Sequence, residues 1–260
     1  MNDKAPTIDG VGSLLVAKDT VGVAADWARK STFQAALKVM PKHRQRIVRS
    51  RLNPRWYRWA HAANGAHWAE MGERQLKFLI EAGLEPSNQF LDVGCGPLRA
   101  GVHLVRYLDV GHYCGMDLDP AFLASARKEL EMAGLDHKDP TLLLDDSFRF
   151  KRFERQFDFA LAQSVFTHVS FNTITRCVSQ METSLKPGGK FFATFTRNPG
   201  PRLRHDSFVV GGNLRNCDRD PFYYDADIFR WLVEGSTLDV ELIGYWGHPK
   251  DQEMLMFTKR

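Results

Sequence analysis

A short apolar segment that leads into a glycine-containing turn and then into a helix most restricts the fold of this chain. Gln89–Val93 has the pattern of a buried strand and contains Asp92; Gly94 and Gly96 follow it, and residues 100–108 have the pattern of a helix. Glycines let the backbone turn sharply and approach a ligand closely, and the first turn of a helix carries unpaired N–H groups. This order is typical of the first unit of a parallel sheet.

The same alternation of strand and helix continues to residue 258 and predicts an α/β fold. Asp119 and Pro120 have the residue types that favour an N-cap and a first helical position, and 186–189 has the composition of a turn ahead of a strand. We therefore predict a doubly wound, mostly parallel, seven-stranded sheet with helices on both faces. The predicted strands are 89–93, 112–116, 141–144, 157–162, 190–196, 239–245 and 254–258, and the predicted helices are 66–82, 100–108, 120–133, 171–185 and 226–234.

Two acids fall where such a sheet binds ligands, beyond the carboxyl ends of its strands. Asp117 ends the second strand, about 20 residues after the glycines, where an acid can bind ribose hydroxyls. A dinucleotide-binding turn would bring a negatively charged pyrophosphate close to the Asp92 carboxylate, which is unfavourable. Gly101 also lies too far along the chain to be the third glycine of a dinucleotide-binding motif. Both departures favour S-adenosylmethionine over NAD.

Four motifs, in this order, resemble the class I S-adenosylmethionine-dependent methyltransferase family. The resemblance covers residues 66–260 and implies a Rossmann-like fold with S-adenosylmethionine as cofactor. Segments 163–168 and 246–249 further resemble a bacterial subgroup associated with glycan and secondary-metabolite biosynthesis. The four motifs are Leu91-Asp92-Val93-Gly94-Cys95-Gly96, Gly115-Met116-Asp117-Leu118-Asp119-Pro120, Phe157-Asp158-Phe159-Ala160 and Leu185-Lys186-Pro187-Gly188-Gly189-Lys190-Phe191.

The resemblance implies which residues surround the methionine part of the cofactor. Gly94 and Gly96 would line it together with the backbone of Cys95. Asp92 would lie near the ammonium group, directly or through water. Gln163, at the end of the fourth strand, would face both the cofactor and the substrate pocket.

The resemblance also implies a binding set for the adenosine part. Asp117 would hold the ribose hydroxyls, and Leu118 would pack on the adenine. An acid after the third strand would meet the adenine amino group. Asp145 and Asp146 both stand there, and we prefer Asp146, together with the backbone of Ser147.

Two histidines are candidates for a catalytic base. Histidine titrates near neutral pH without any perturbation, so it can accept a proton from a hydroxyl nucleophile. His168 follows the fourth strand, on the side where substrate should lie, and is our first candidate as the base or as a substrate hydroxyl partner. His248 is the second candidate, and His205 is a weaker third.

The segment after the fourth strand bears on the class of methyl acceptor. Residues 162–165 read Ala-Gln-Ser-Val, which lacks the Asn/Asp-Pro-Pro-aromatic box of adenine and glutamine amino methyltransferases. The chain has no Pro-Cys, as cytosine-carbon methylation would need, and no evident acid cluster for a metal. We therefore predict an O-methyltransferase that acts on a small-molecule or sugar/glycan hydroxyl, and we assign no metal ligands. The alternatives are a nitrogen, lipid or nucleic-acid acceptor, a non-catalytic S-adenosylmethionine-binding module and, more distantly, a nicotinamide oxidoreductase.

Charge divides the chain into a basic front piece and a mildly acidic body. Residues 1–58 hold 12 Lys/Arg against 4 Asp/Glu, whereas the remainder holds 23 against 27. We predict a helical N-terminal extension over 1–65 and a catalytic domain over 66–260. The basic, aromatic segment 41–59 is interpreted as an extension helix that lies on the body, with its arginines solvated or paired with the acidic surface. A membrane surface, an anionic substrate or a nucleic acid are less favoured partners.

Residues 197–224 show no clear periodicity and are rich in Gly, Pro, Asn and Arg. An irregular segment of this length is often functional, and we predict a lid-like insertion. Its arginines indicate an acceptor with negative charge, such as a phosphate- or nucleotide-linked sugar. Four of these arginines are Arg197, Arg202, Arg204 and Arg215.

Cysteine content and hydropathy lead us to expect a cytoplasmic location. No two of the four cysteines have a C-x-x-C spacing, and a chain of this size can bury its own core without disulfides. No apolar run approaches the ~20 residues of a membrane-spanning helix. The cysteines are Cys95, Cys114, Cys177 and Cys217.

Overall fold

The computed structural model describes residues 68–198, 207–210, 213–216 and 219–260, with side chains for 68–198 and 219–260. Predictions for the extension 1–65, its basic segment 41–59, and Arg202, Arg204 and His205 lie outside the described residues. Within the described part, no helix combines the length and the apolar character needed to cross a bilayer.

Helices and strands alternate along the chain as the sequence predicts. Asp119 caps the third helix, because its carboxylate accepts the Ala121 N–H at 2.9 Å. Three short 3₁₀ turns, at 136–138, 150–153 and 166–168, join the longer elements. The helices are α1 (Trp68–Glu81), α2 (Gly101–Tyr107), α3 (Pro120–Met132), α4 (Phe171–Ser184) and α5 (Asp227–Leu232). The strands are β1 (Phe90–Val93), β2 (Tyr113–Asp117), β3 (Thr141–Leu144), β4 (Phe157–Ala162), β5 (Leu185–Phe195), β6 (Ser207–Val210), β7 (Asn213–Asn216), β8 (Leu238–Tyr245) and β9 (Glu253–Lys259).

Seven of these strands form one sheet in the order β3-β2-β1-β4-β5-β9-β8. The first five strands in this order, β3, β2, β1, β4 and β5, are parallel. Strand β9 is antiparallel to both of its neighbours. The predicted fold class is therefore confirmed. The chain leaves β1 in one direction to β2 and later returns to β4 on the other side of β1, so a crevice opens at their carboxyl ends.

Apolar side chains are buried on both faces of the sheet. On one face α1, α2 and α3 pack against strand residues such as Phe90 and Phe192. On the other face α4 and α5 pack against residues such as Leu91 and Phe191. Successive residues of one strand thus enter opposite cores, which explains the nearly continuous apolar runs of the parallel strands.

Strand β5 differs from the prediction at its start. The turn predicted at 186–189 lies inside a strand that begins at Leu185. Phe157 of β4 pairs with Leu185 and Phe159 pairs with Lys190, so β5 carries extra residues in a bulge. At Gly189 a Cβ atom would lie 2.8 Å from the Lys186 carbonyl oxygen and 2.9 Å from that of Phe157. The glycine is needed because two backbones meet there, which local turn composition does not reveal.

A two-stranded hairpin of β6 and β7 was not predicted. It lies within the predicted insertion 197–224, and Val210 pairs with Asn213. Four-residue strands with mixed composition give too little alternation to be recognised from sequence.

Candidate functional site

The glycine turn folds over the end of β2. The N–H groups of Gly94 and Cys95 both donate to the Met116 carbonyl oxygen, at 2.8 and 2.9 Å. Gly94 and Gly96 have φ angles of 69° and 54°, in the left-handed region that glycine tolerates best. The Cys95 thiol is buried, and burial raises its pKa well above the usual range, so this residue does not present a thiolate.

The two glycines should respond differently to alanine. A Cβ at Gly94 would lie 2.7 Å from Val165 Cγ2, whereas a Cβ at Gly96 meets nothing within 4 Å. Gly96→Ala should therefore cost only the left-handed conformation, about 1–2 kcal/mol, and Gly94→Ala about 1–3 kcal/mol more through overpacking. Urea unfolding of both variants measures the difference. Equal losses would show that Val165 does not restrict Gly94.

Asp117 lies at the end of β2, directly beside the glycine turn. Its Oδ2 accepts the Gly96 N–H and its Oδ1 accepts the Asp119 N–H, both at 2.8 Å. Burial raises the pKa of this carboxyl group, and the backbone hydrogen bonds oppose the increase. The next residue, Leu118, leaves 66% of its surface exposed, which is unusual for a leucine beside a buried strand. The Asp117 carboxylate, held by two hydrogen bonds, and the exposed apolar side chain of Leu118 therefore lie next to each other at the carboxyl end of β2.

Asp92 is buried below the turn, and its Oδ2 accepts the hydroxyl hydrogen of Tyr113 at 2.8 Å. Burial is the main cause that raises the pKa of Asp92 to about 7. The Tyr113 hydrogen bond and the Arg99 charge lower the pKa, whereas the charge of Asp117 raises it further. A nearby cation would favour the ionised form of Asp92.

The raised pKa of Asp92 predicts how stability depends on pH. An unfolded chain loses this proton near pH 3.8 and the folded protein near pH 7. Between these values the folded state binds the extra proton, so the free energy of unfolding falls as pH rises. We expect the free energy of unfolding of Asp92→Asn, relative to that of the wild type, to increase by at least about 1 kcal/mol between pH 4.5 and 7.5. Urea unfolding tests this, with exposed Asp136→Asn as control; a constant difference between variant and wild type would contradict it.

The two acids after β3 have different surroundings. Asp145 is buried and binds Arg149 Nε at 2.6 Å and Arg152 Nη1 at 3.0 Å. Burial opposes its ionisation, but hydrogen bonds from the Ser147 and Arg149 N–H groups and both guanidinium groups lower the pKa to about 2. Asp146 is exposed and accepts the Ser147 hydroxyl at 2.6 Å. The second acid is therefore the more accessible to a ligand.

A polar network closes the end of β4 and includes residues that the sequence analysis did not single out. Ser164 donates its N–H to Thr194 Oγ1 at 2.7 Å and its hydroxyl to Gln252 Oε1 at 2.9 Å. Thr194 donates to the same oxygen at 2.8 Å, and Gln163 Nε2 donates to Thr194 at 3.2 Å. Thr194 lies near the carboxyl end of β5, which could have indicated it, whereas no sequence signal marks Gln252.

The network fixes the orientation of the Gln163 amide. Its Nε2 already points to Thr194 and Gln252, so its Oε1 remains as an acceptor that is buried and has no partner among the described residues. Ser164 has a φ of 58°, a strained conformation for a residue with a side chain. Such strain concentrates at functional sites.

His168 ends the 3₁₀ turn that follows β4, and its side chain is exposed. Its Nδ1 lies 2.6 Å from Asp220 Oδ1. His168 donates its backbone N–H to the Val165 carbonyl oxygen, and the Val165 side chain lies against Gly94. The His168 backbone thus lies one turn from Val165, whose side chain adjoins the glycine turn.

His248 has a different environment. It is buried between β8 and β9, and its Nδ1 accepts the Lys250 N–H at 3.2 Å. Burial, followed by the charges of Arg99, Lys250 and Arg74, lowers the pKa of His248 to about 4. The ring is therefore neutral at neutral pH and a weak base there.

Arg197 lies at the start of the predicted lid, and the structure describes its side chain. Its guanidinium group forms a two-point ion pair with the Glu253 carboxylate. Because this charge is already neutralised, Arg197 offers little attraction to an anionic acceptor. Arg215 lies in β7, where the structure describes the backbone.

Residues 91–191 match a family model described as a methyltransferase domain. An S-adenosylmethionine-dependent methyltransferase from Clostridium acetobutylicum ATCC 824 has a TM-score of 0.58 at 12% identity, over 78% of this chain and 98% of that one. The glycopeptide N-methyltransferase MtfA with S-adenosyl-L-homocysteine has a TM-score of 0.55 at 19% identity, over 73% and 89%. Magnesium protoporphyrin IX methyltransferase from Synechocystis PCC 6803 with bound SAM has a TM-score of 0.55 at 11% identity, over 85% and 99%. At these identities the structural likeness concerns the fold.

Proposed function

Because residues 91–191 form a methyltransferase domain of the class I S-adenosylmethionine-dependent family, we propose that the protein methylates a hydroxyl group. The acceptor is a small molecule, a sugar or a glycan intermediate. One observation carries the proposal: an open glycine turn, a fixed carboxylate and an exposed histidine lie at the carboxyl ends of adjacent strands. Ligands bind at this edge of such sheets.

The residues at the sheet edge fit S-adenosylmethionine in size and in chemistry. The space in front of Gly96 admits a ligand close to the backbone. Asp117 would accept the ribose hydroxyls, and the exposed Leu118 would cover one face of the adenine. Asp146 and the backbone of Ser147 would meet the adenine amino group.

The methionine end of the cofactor is positively charged, which suits the acceptors near the turn. Asp92, with its pKa of about 7, would be drawn to the ionised form by an ammonium group. The free Oε1 of Gln163 would accept a hydrogen bond from the cofactor or the acceptor. Gly94, Gly96 and the Cys95 backbone would line this end.

When bound, S-adenosylmethionine would supply a methyl group on a cationic sulfur, which an acceptor oxygen would take by in-line displacement with the thioether as the leaving group. The site would hold the acceptor oxygen at attack distance from the methyl carbon. His168 accepts the hydroxyl proton, so the O–H bond breaks as the bond from oxygen to the methyl carbon forms. His248, with its pKa of about 4, suits a hydrogen-bonding role better than that of the base.

A nitrogen acceptor is the second candidate, because one structural neighbour is a glycopeptide N-methyltransferase. A neutral amine attacks through its lone pair without first losing a proton, so its methylation depends less on a base. A substitution at His168 would then reduce turnover little.

Methyl-labelled S-adenosylmethionine tests the proposal with a panel of nucleotide-linked sugars, neutral sugars and amines. Label on hydroxyl acceptors supports it, and label restricted to amines would favour the second candidate. Cofactor binding without transfer to any acceptor would indicate a binding module. Calorimetry with S-adenosylhomocysteine and with NAD separates the oxidoreductase alternative.

A further inference from the structure

His168 and Asp220 form a pair that joins two distant parts of the chain. The His168 Nδ1 lies 2.6 Å from Asp220 Oδ1, and 57% of each side chain is exposed. His168 follows β4, whereas Asp220 comes at the end of the insertion that precedes α5. The distance is that of a short hydrogen bond between an imidazole and a carboxylate.

Backbone hydrogen bonds near both residues hold this arrangement in place. The N–H of Phe222 donates to the Thr167 carbonyl oxygen at 2.8 Å, which joins the segments that carry Asp220 and His168. Two residues further on, the Tyr224 N–H donates to the Thr196 carbonyl oxygen at 3.0 Å, and its hydroxyl binds the Val169 carbonyl oxygen. The pair therefore rests on main-chain geometry that extends to the ends of β4 and β5.

The hydrogen bond determines which ring nitrogen carries the proton. An ionised carboxylate can only accept, so the neutral imidazole must donate through Nδ1. Nε2 is then without a proton and has a lone pair for a proton acceptor role. The same arrangement of carboxylate and histidine orients the base in serine hydrolases.

We propose that Asp220 is a positioning residue for O-methylation: it holds His168 in the tautomer whose Nε2 accepts the proton of the acceptor hydroxyl. The inference rests on the function proposed above and assigns no contact between Asp220 and the acceptor. Exposed ion pairs contribute little to stability, so a stability measurement cannot decide the question. The tautomer of His168 can decide whether Asp220 has this role.

Nitrogen-15 NMR of the full chain, labelled at histidine, reports the tautomer without any acceptor. The probe is S-adenosylhomocysteine-bound protein at pH 9, well above the ordinary histidine pKa of about 6.5. The wild type should carry the proton on Nδ1. In Asp220→Asn the amide can donate to Nδ1, so the proton should move to Nε2. Asp220→Glu should restore the wild-type tautomer.

Turnover should follow the tautomer. Using the hydroxyl acceptor found in the panel, we expect Asp220→Asn to lower kcat about tenfold or more, since the wrong tautomer removes most of the benefit of the base. Asp239→Asn is the matched control. It disrupts a surface ion pair between Arg260 and Asp239, at the start of β8, and should leave the His168 tautomer and the turnover unchanged.

Two results would overturn the role of Asp220. One is a wild-type His168 that carries its proton on Nε2; the other is an Asp220→Asn variant with unchanged tautomer and turnover. A wild type that methylates no hydroxyl acceptor contradicts the proposed function instead. The NMR readout needs no acceptor, so it distinguishes the two failures.

Discussion

Asp117→Ala is expected to weaken the binding of S-adenosylhomocysteine about 100-fold. In the proposed complex the carboxylate accepts two ribose hydroxyls, and hydrogen bonds to a charged group contribute ~1.5–3 kcal/mol each. Losing two of them corresponds to at least two factors of ten in Kd. The substitution also removes the acceptor of the Gly96 and Asp119 N–H groups, so the turn itself loses support.

Calorimetry separates loss of ribose recognition from general damage. The 2′-deoxy analogue of S-adenosylhomocysteine lacks one of the two hydroxyls, so Asp117→Ala should weaken its binding by a smaller factor. Asp136→Ala, an exposed acid beyond α3, is the control and should bind both ligands normally. A folded Asp117→Ala protein with full affinity for S-adenosylhomocysteine would remove Asp117 from the site.

His168→Gln is expected to lower turnover of a hydroxyl acceptor by about 10²–10⁴-fold, the usual contribution of a positioned base. Glutamine retains polarity and similar size but cannot accept the proton. The affinity for S-adenosylhomocysteine should stay normal, because His168 is assigned to the acceptor rather than to the cofactor.

Single-turnover methyl transfer at saturating S-adenosylmethionine measures this step directly. His137→Gln provides a matched histidine control: it is exposed, and its Nδ1 binds only the nearby Gly134 carbonyl oxygen. Near-normal transfer by His168→Gln, with normal cofactor affinity, would exclude His168 as the base and favour a nitrogen acceptor.

Local patterns were sufficient for most of the fold. Each of the seven strands of the main sheet and the five described helices lies where its periodicity predicts. Asp119 caps α3 as its residue type indicates. The early start of β5 was not predictable, because Gly189 is needed by a contact with the backbone of Phe157, some 30 residues away.

Long-range contacts also limit what the sequence says about the site. Asp117 and the glycines are recognisable by their spacing within one unit of strand, turn and helix. Asp220 lies 52 residues from His168, and Gln252 lies 88 residues from Ser164. No spacing rule connects such pairs, because their meeting depends on how the sheet is assembled.

The position of β9 has a consequence for how the protein is made. This strand is the last of the sheet along the chain, yet it lies between β5 and β8. Synthesis proceeds from the N-terminus, so β8 has no hydrogen-bonded neighbour in the sheet until β9 has left the ribosome. Gln252, which stands directly before β9 and joins the ends of β4 and β5, arrives at the same moment. The sheet of the described residues and the polar network at the ends of β4 and β5 are therefore completed in the same step, when β9 pairs.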